Sequence, residues 1–305
     1  MNPSDASRTA LATSLMRAIH TRTAPAPLID DSWGDRLVPE QVRTAFLQLV
    51  RSRAGVVDAA ALPDAAIEAG LRSTPAYAEV IVRARYTEDQ LKAAVARGVS
   101  QYVLVGAGFD SFACRRPDFA QQLDIFEVDH PATQGLKRQQ LAANGVAESA
   151  KTHFVAADFT TEDLGAALSR SFFRSDQPAF FAWLGVTPYL TREANLSALR
   201  AIATCAPAGS ELVFTYLDEA IFDPAYAGGE GFRELKEQVA AVGEAFLSGF
   251  DPKALAGLLQ AAGLELVEDV SGPQMVARYD AAGANGLQAK PEAHIARARV
   301  IGVPA

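Results

Sequence analysis

The chain has 305 residues, of which 49% are hydrophobic and 21% are charged, and its formal net charge is −8. This composition is typical of a globular protein with a sizeable core, while the acidic charge argues against general nucleic-acid binding, which needs a basic face. No apolar run reaches membrane-spanning length and the N-terminus lacks a basic start and an apolar stretch, so we expect no membrane association and a cytoplasmic location.

In chain order, the first 100 residues are predicted to be helical, with breaks at five prolines: Pro25, Pro27, Pro39, Pro63 and Pro75. From residue 101 onward, apolar strands alternate with helices such as 132–143 and 191–204, which predicts a buried parallel sheet. Five strands are predicted in this part, at 101–106, 124–129, 152–157, 179–185 and 210–217. Two later strands, 264–270 and 294–302, have no clear long helix between them and are predicted to form an antiparallel pair at the sheet edge.

These elements predict an α/β chain of the Rossmann type with a seven-stranded, mostly parallel sheet. Residues 1–100 are expected to form a helical N-terminal segment that packs on a ligand-binding domain at 101–305. Residues 218–250 interrupt the alternation and contain the glycine-rich stretch 227–231. An insertion after the fifth strand would lie over the crevice at the carboxyl ends of the strands, as a lid or as an ordinary connection.

The strongest motif is the apolar run that ends in Gly106-Ala107-Gly108-Phe109-Asp110-Ser111. Gly106 and Gly108 have no Cβ atom, so the backbone can approach a ligand closely. Glu127 follows Gly108 by 127 − 108 = 19 residues and ends the next apolar run. This spacing is typical of a turn that contacts a nucleoside cofactor and an acid that accepts hydrogen bonds from both ribose hydroxyls.

The third glycine of the dinucleotide fingerprint is absent, because Ser111 stands in its place. Asp110 would put a negative charge where a pyrophosphate lies, whereas a cationic or zwitterionic nucleoside tolerates it. S-adenosyl-L-methionine (SAM) is such a ligand, and it is the predicted cofactor. A nicotinamide-dependent oxidoreductase is disfavoured, also because no Tyr-x-x-x-Lys pair is present. A tight turn that binds no ligand is the structural alternative.

The histidines and cysteines add no metal or redox chemistry to this prediction. Cys114 and Cys205 are too few for a disulfide scaffold, and no two of the four histidines have metal-ligand spacing. We therefore expect no metal site.

Several ordered motifs together resemble the leucine carboxyl methyltransferase family of class I SAM-dependent methyltransferases, in particular its bacterial branch. The resemblance covers roughly residues 8–215 well. The segments that carry it are Arg8–Leu11, Arg17-Ala18, Pro27–Asp31, Arg83–Asp89, Gly106–Ser111, Phe126–Pro131, Ala157–Phe159, Trp183–Leu190 and Arg278-Tyr279. The chain departs from the family at two places. Leu184 replaces the glutamate that commonly follows the tryptophan, and Ala84 follows Arg83 in place of threonine.

The resemblance implies that Arg83 binds the SAM carboxylate, which a guanidinium holds through two parallel hydrogen bonds. The alternative is that Arg83 belongs to a solvated helix face. The turn Gly106, Ala107 and Gly108 is expected beside the methionyl part of the cofactor. Asp110 is expected either to order this turn or to meet the ammonium group through water.

The remaining cofactor residues implied by the resemblance follow the second, third and fourth strands. Val128 and Leu184 are expected in the cofactor pocket. By analogy with other proteins of this fold, Asp158 is expected at the adenine amino group and Phe159 at the adenine face. Asp158 is equally well explained as the N-cap of the next helix.

Thr187 and Tyr189 follow the fourth strand and are predicted to contact the methyl acceptor, although Tyr189 also fits a half-buried structural aromatic residue. His20 and His130 are the histidines considered as bases, and lone histidines are usually structural. No catalytic residue is therefore assigned.

The absence of an obvious base bears on the acceptor. A carboxylate is already ionised at neutral pH and needs no base, so the leading prediction is O-methylation of a carboxylate on a small molecule or peptide. Methylation of a natural-product hydroxyl, which needs a base within reach, is the alternative, and a non-catalytic SAM-binding protein is a third possibility.

Overall fold

A computed structural model describes residues 6–53, 62–72, 74–159, 162–223, 226 and 245–301. Its centre is a seven-stranded sheet in the order β3-β2-β1-β4-β5-β7-β6. The strands are β1 Gln101–Val105, β2 Asp124–Asp129, β3 Thr152–Ala156, β4 Ala179–Trp183, β5 Glu211–Leu217, β6 Leu264–Ser271 and β7 Ala293–Val300. The predicted Rossmann-like α/β fold with seven strands is therefore confirmed.

Strands β1 to β5 pair in parallel, while β7 runs antiparallel between β5 and β6. The predicted antiparallel pair at the sheet edge is confirmed. All five residues of β1 and of β4 are buried, as expected for central strands covered on both faces.

Helices cover both faces of this sheet. They are α1 Arg8–Thr23, α2 Glu40–Arg53, α3 Asp64–Arg72, α4 Pro75–Ala96, α5 Phe112–Arg115, α6 Pro131–Ala143, α7 Leu164–Ser169, α8 Arg192–Cys205, α9 Leu255–Ala261 and α10 Gly272–Tyr279. Helices α7, α8 and α9 pack on one face, where Phe126, Phe181 and Phe214 are fully buried. Helices α4 and α10 pack on the other face, where Tyr102 and Phe180 are buried.

Helices α2, α3 and α4 begin at prolines that were predicted to break the helical pattern. Pro39 and Pro63 immediately precede α2 and α3, and Pro75 is the first residue of α4. Proline suits the first turn of a helix because its missing N–H would have no intrahelical partner there. The prolines that break the helical pattern thus also define where the next helix starts.

Helix α1 is joined directly to the glycine-rich turn after β1. The Arg17 guanidinium donates to the Asp31 carboxylate at 2.8 Å and to the Phe109 carbonyl oxygen at 2.7 Å. The Ser14 hydroxyl donates to the same carbonyl at 3.1 Å. Arg17 and Asp31 are buried, and Arg17 holds the pKa of Asp31 below its usual value against the effect of burial. The N-terminal helices therefore form part of the ligand-binding edge.

The predicted insertion at 218–250 lies largely outside the described residues, which omit 224–225 and 227–244. Its two ends are described. Residues Glu219–Phe222 form a 3₁₀ turn, and Phe250 bridges to Asp218. The Leu247 N–H donates to the Pro188 carbonyl at 2.6 Å, so the returning end of the insertion runs beside the loop after β4.

The described part of the chain shows no sign of a membrane span or a metal centre. None of its helices combines the length and apolar composition that a membrane span requires. Nor do any three histidine, cysteine or acidic side chains in it converge as metal ligands would.

Candidate functional site

Two neighbouring cavities lie at the edge of the sheet where the parallel strands end. The turn cavity, about 540 Å³, is bounded by the turn 106–110, by Asp129 and by residues 157–159. The helix cavity, about 620 Å³, is bounded mainly by apolar side chains of α1, α2, α4 and α10. The two cavities share one stretch of wall, which consists of Thr9, Thr13, Val80, Arg83, Gly185 and Tyr189.

The glycine turn forms one wall of the turn cavity with bare backbone. Gly106 and Gly108 have φ angles of 72° and 51°, in the left-handed region that side chains disfavour. The N–H groups of Gly106 and Ala107 donate to the Val128 carbonyl at 2.8 and 3.1 Å. Val128 thus orders the turn through its backbone, while its side chain is fully buried in the core.

Asp110 lies in the wall of the turn cavity and orders the turn. Its Oδ1 accepts the Phe112 N–H at 2.7 Å, at the start of α5. This contact corresponds to the first of the two roles expected for Asp110, the ordering of the turn.

The acid predicted at the ribose does not reach the cavity. The side chain of Glu127 is 2% exposed and forms a salt bridge with Lys137 of α6, whose side chain is 1% exposed. Burial raises the pKa of Glu127, and its Oε1 is buried without a hydrogen-bond partner among the described residues. Glu127 does not line the turn cavity. The prediction that Glu127 lies at the ribose therefore needs correction. Glu127 lies within β2, two residues before the strand ends, where Lys137 of α6 covers it.

Asp129 occupies the place that Glu127 was expected to take. It is the last residue of β2 and lines the turn cavity. Its Oδ2 accepts the Gly108 N–H, and its Oδ1 accepts the His130 N–H at 2.6 Å. Burial raises the pKa of Asp129, whereas these two N–H groups lower it. A signal in the sequence was available, because Asp129 lies two residues before Pro131, the first residue of α6.

Arg83 lies between the two cavities rather than on a solvated helix face. The Arg83 guanidinium packs against the backbone of Gly185. Glycine has no Cβ atom, and one added at position 185 would lie only 2.8 Å from Nη1 of Arg83. Within the described residues, no side chain or carbonyl is hydrogen-bonded to this guanidinium. Burial lowers the pKa of Arg83. A half-buried cation that lines a cavity in this way is suited to an anionic group of a ligand.

The third-strand residues also reach the turn cavity. Asp158 and Phe159 both line it, at the end of β3. The next helix, α7, is capped by Asp163, whose Oδ1 accepts the Ala166 N–H at 2.8 Å. The N-cap alternative for Asp158 is therefore wrong. Leu184 lines the same cavity from the end of β4.

The two residues predicted at the acceptor differ in position. Tyr189 lies in the wall that both cavities share, and its ring packs on that of Phe246, with the ring centroids 5.5 Å apart. Thr187 is 2% exposed and lines neither cavity, and its hydroxyl donates to the Thr215 carbonyl at 2.6 Å. Thr187 therefore supports the loop, and Tyr189 is the one of the two that lines the cavities.

Neither predicted histidine is placed as a base. The Nδ1 of His20 lies 2.9 Å from the Tyr77 hydroxyl and its Nε2 accepts the Leu28 N–H at 2.9 Å, so both ring nitrogens are engaged. Burial lowers the pKa of His20 to about 4. His130 lines the turn cavity but caps α6, with its Nδ1 accepting the Ala132 N–H at 3.2 Å.

One ionisable group in the helix cavity was not predicted from the sequence. Glu79 lies on α4, one turn before Arg83, and lines the helix cavity. Burial raises the pKa of Glu79 to about 7, although the Lys290 N–H and the nearby Arg83 charge lower it. The i, i+4 spacing of Glu79 and Arg83 on a predicted helix was the available signal, because it places both on one face.

The turn cavity fits the predicted cofactor in three respects. It offers a cation without a hydrogen-bonded partner in the described chain, a bare glycine turn, and a strand-end carboxylate. SAM carries a carboxylate, an ammonium group and a ribose, which are complementary to these groups.

Comparison with known proteins agrees with this fit. The sequence pattern of the leucine carboxyl methyltransferase family matches residues 10–203. YktD of Bacillus subtilis (strain 168), whose name places it among the SAM-dependent methyltransferases, is 31% identical over 283 residues, covering 89% of this chain and 90% of YktD.

Solved structures give the same fold. A crystal structure from Thermobifida fusca YX, named for a methyltransferase, superimposes with a TM-score of 0.56 at 15% identity, covering 95% of this chain and 94% of that one. A DUF574 family protein from Streptomyces avermitilis has a TM-score of 0.50 at 20% identity, covering 84% and 97%. The family match spans most of the chain and includes the glycine turn and Arg83. The chain therefore belongs to the leucine carboxyl methyltransferase family and is a SAM-dependent methyltransferase.

Proposed function

We propose that this protein transfers a methyl group from SAM to an oxygen atom of a largely apolar acceptor, with SAM in the turn cavity and the acceptor in the helix cavity. The observation that carries the proposal is the shared wall at Arg83, Gly185 and Tyr189. A ligand in one cavity meets a ligand in the other at this wall. Alignment of two reactants can supply about 7–11 kcal/mol of the barrier reduction for such a displacement.

The residues that would hold SAM follow from their positions. Arg83 is proposed for the carboxylate, and the backbone at Gly106, Ala107 and Gly108 for the methionyl part. Asp129 is proposed for the ribose in place of Glu127. Asp158 and Phe159 are proposed for the adenine, because both line the turn cavity just after the end of β3. When bound, SAM supplies an electrophilic methyl group on a positively charged sulfur.

Replacing Arg83 by lysine is expected to weaken SAM binding about tenfold, because an ammonium group cannot reproduce the two parallel hydrogen bonds of a guanidinium. Isothermal titration of wild type and Arg83→Lys with SAM measures the loss. Adenosine has no carboxylate and is expected to bind both proteins equally. Equal losses for SAM and adenosine would show that Arg83 supports the fold and does not bind the carboxylate.

The acceptor oxygen has two candidates, and each is favoured by one observation. The family is named for carboxyl methylation, and the cation Arg83 in the helix cavity wall is compatible with a carboxylate. The carboxyl group of Glu79 in the same wall favours a hydroxyl, because it supplies the base whose absence from the sequence argued for a carboxylate. The mainly apolar lining favours a small molecule over a polar peptide in either case.

Transfer from methyl-tritiated SAM to small-molecule extracts separates these candidates. Methyl esters are hydrolysed by mild alkali and release volatile methanol, whereas methyl ethers are stable. Alkali-labile label is expected for a carboxylate acceptor and alkali-stable label for a hydroxyl. The Arg83→Lys protein is the matched control. No labelled product from any extract, with SAM bound, would count against a small-molecule acceptor.

A further inference from the structure

We propose that Glu79 accepts the proton of a weakly acidic hydroxyl group on an apolar acceptor bound in the helix cavity; this inference rests on the function proposed above. It assigns a proton-accepting role to a residue on α4 and selects the hydroxyl candidate.

The position of Glu79 is that of a group that contacts the acceptor and not SAM. Glu79 lines the helix cavity and is absent from the lining of the turn cavity, while Arg83 lines both. Residues four apart on a helix lie roughly 6 Å apart on one face. Glu79 is therefore one helical turn from the wall at which the two cavities meet.

The surroundings of Glu79 are mostly apolar. Phe46 of α2 and Met275 of α10 line the same cavity, together with Val80 and Met16. In the part of the chain that the structure describes, Glu79 makes one hydrogen bond, a long one of 3.4 Å from the Lys290 N–H to its Oε1. A half-buried carboxyl group with so few partners among the described residues gains from a hydroxyl donor on a ligand.

The charges that act on Glu79 come from two elements. Arg83 on α4 and Lys290 before β7 favour its ionised form, while Glu292 and burial disfavour it. The other charged or titratable residues in the cavity wall are Arg8, Tyr189, Tyr216 and His294. The net result is a pKa of about 7, so an appreciable fraction is ionised at neutral pH, which suits a general base.

His294 is a weaker candidate for this role. Its ring stacks on Tyr216 with centroids 5.0 Å apart, and Tyr216 packs on Phe250. Tyr216 and Phe250 belong to the core on the α7–α9 face, whereas Ile295 and Val270 belong to the core on the α4 face. His294 lines the helix cavity as well, but its Nδ1 lies 3.2 Å from Asp269 Oδ1, so the ring is already engaged by another carboxyl group.

The acceptor oxygen forms a bond to the methyl carbon as its O–H proton passes to the Glu79 carboxylate. The bond between that carbon and the SAM sulfur breaks, and its electron pair remains on the sulfur, which becomes a neutral thioether. The proton on Glu79 returns to solvent after the methyl ether leaves.

Two matched probes test the proposal without turnover. Both 2-naphthol and 2-naphthoate carry the same apolar ring, but one is a neutral hydroxyl donor and the other a carboxylate. Their affinities for the protein saturated with S-adenosylhomocysteine are to be measured between about pH 6 and pH 8, where a phenol remains largely neutral. Naphthol is expected to bind more tightly as Glu79 ionises with rising pH, and naphthoate more weakly.

Three variants sharpen this test. In Glu79→Gln the pH dependence of both probes should disappear, and naphthol affinity at about pH 8 should fall roughly tenfold, because a hydrogen bond to a charged group is lost. Glu79→Asp keeps a carboxylate and should retain the pH dependence with weaker binding. Glu88→Gln, on the same helix but outside both cavities, should behave as wild type.

The outcomes separate this inference from the proposed function. Naphthol affinity that responds neither to pH nor to Glu79→Gln would overturn the role of Glu79, and so would naphthoate binding more tightly as pH rises. Failure of both probes to bind while S-adenosylhomocysteine binds would also overturn it. Failure to bind S-adenosylhomocysteine in wild type would instead refute the cofactor site. Correct folding of each variant is checked by its unchanged S-adenosylhomocysteine affinity.

Discussion

Replacing Lys137 by methionine is expected to lower the free energy of unfolding by about 3–5 kcal/mol, because it leaves the buried Glu127 carboxyl group without its cation. Both side chains are almost completely buried, and Glu127 already has one oxygen without a hydrogen-bond partner among the described residues. Burial disfavours the charged form of Glu127 and raises its pKa. Urea unfolding of wild type and Lys137→Met measures the change.

The double variant Glu127→Leu with Lys137→Met is expected to recover most of this loss, because apolar groups of similar volume often replace a buried ion pair at little cost. Arg138→Met is the matched control. Its salt bridge to Glu148 is exposed, so its loss should change the free energy of unfolding by less than about 1 kcal/mol.

SAM affinity in the double variant decides the role of Glu127. If Glu127 is a structural residue, the folded double variant binds SAM as tightly as wild type. A large loss of SAM affinity with normal stability would instead return Glu127 to the cofactor site and remove the argument for Asp129.

The succession of strands and helices along the chain could be predicted from the sequence, because continuous apolar runs alternate with helices over residues 101–217. The glycine turn and Arg83 were located by ordered motifs, and both lie at the turn cavity. These features depend on local sequence, which is why the pattern was sufficient. The position of a strand end is harder to predict, since an apolar run does not show which residue leaves the sheet.

Glu127 and Asp129 illustrate this limit. Gly108 precedes them by 19 and by 129 − 108 = 21 residues, and a spacing rule accepts both. They point to the same side of β2 because they are two residues apart. Only the packing of α6 distinguishes them, since it covers Glu127 with Lys137 and leaves Asp129 at the cavity.

Glu79 was missed for a different reason. Its chemistry arises from burial beside residues distant in sequence, such as Lys290. Nothing near Glu79 in the sequence predicts that environment. The sequence alone offers histidines as bases, and the ring nitrogens of His20 and His130 are engaged in core and capping hydrogen bonds.

Replacing Asp129 by alanine is expected to weaken SAM binding roughly 10²–10⁴-fold. Each carboxylate oxygen already accepts one backbone N–H, from Gly108 and from His130. A carboxylate has about four acceptor positions, so two remain for the ribose hydroxyls. Two hydrogen bonds to a charged group, at about 1.5–3 kcal/mol each, account for the expected loss. Isothermal titration with SAM measures it.

Alanine also removes the acceptor of the Gly108 N–H, so a loss of affinity could come from a disordered turn. Adenosine and 2′,3′-dideoxyadenosine separate the two causes, because they differ only in the ribose hydroxyls. Wild type is expected to prefer adenosine strongly, and Asp129→Ala to bind both alike, since the coupling between a residue and a ligand group vanishes when either is removed. Asp129→Asn, which keeps an acceptor for Gly108, should lie between them. A preference for adenosine that survives in Asp129→Ala would assign the ribose to another residue and confine Asp129 to ordering the turn.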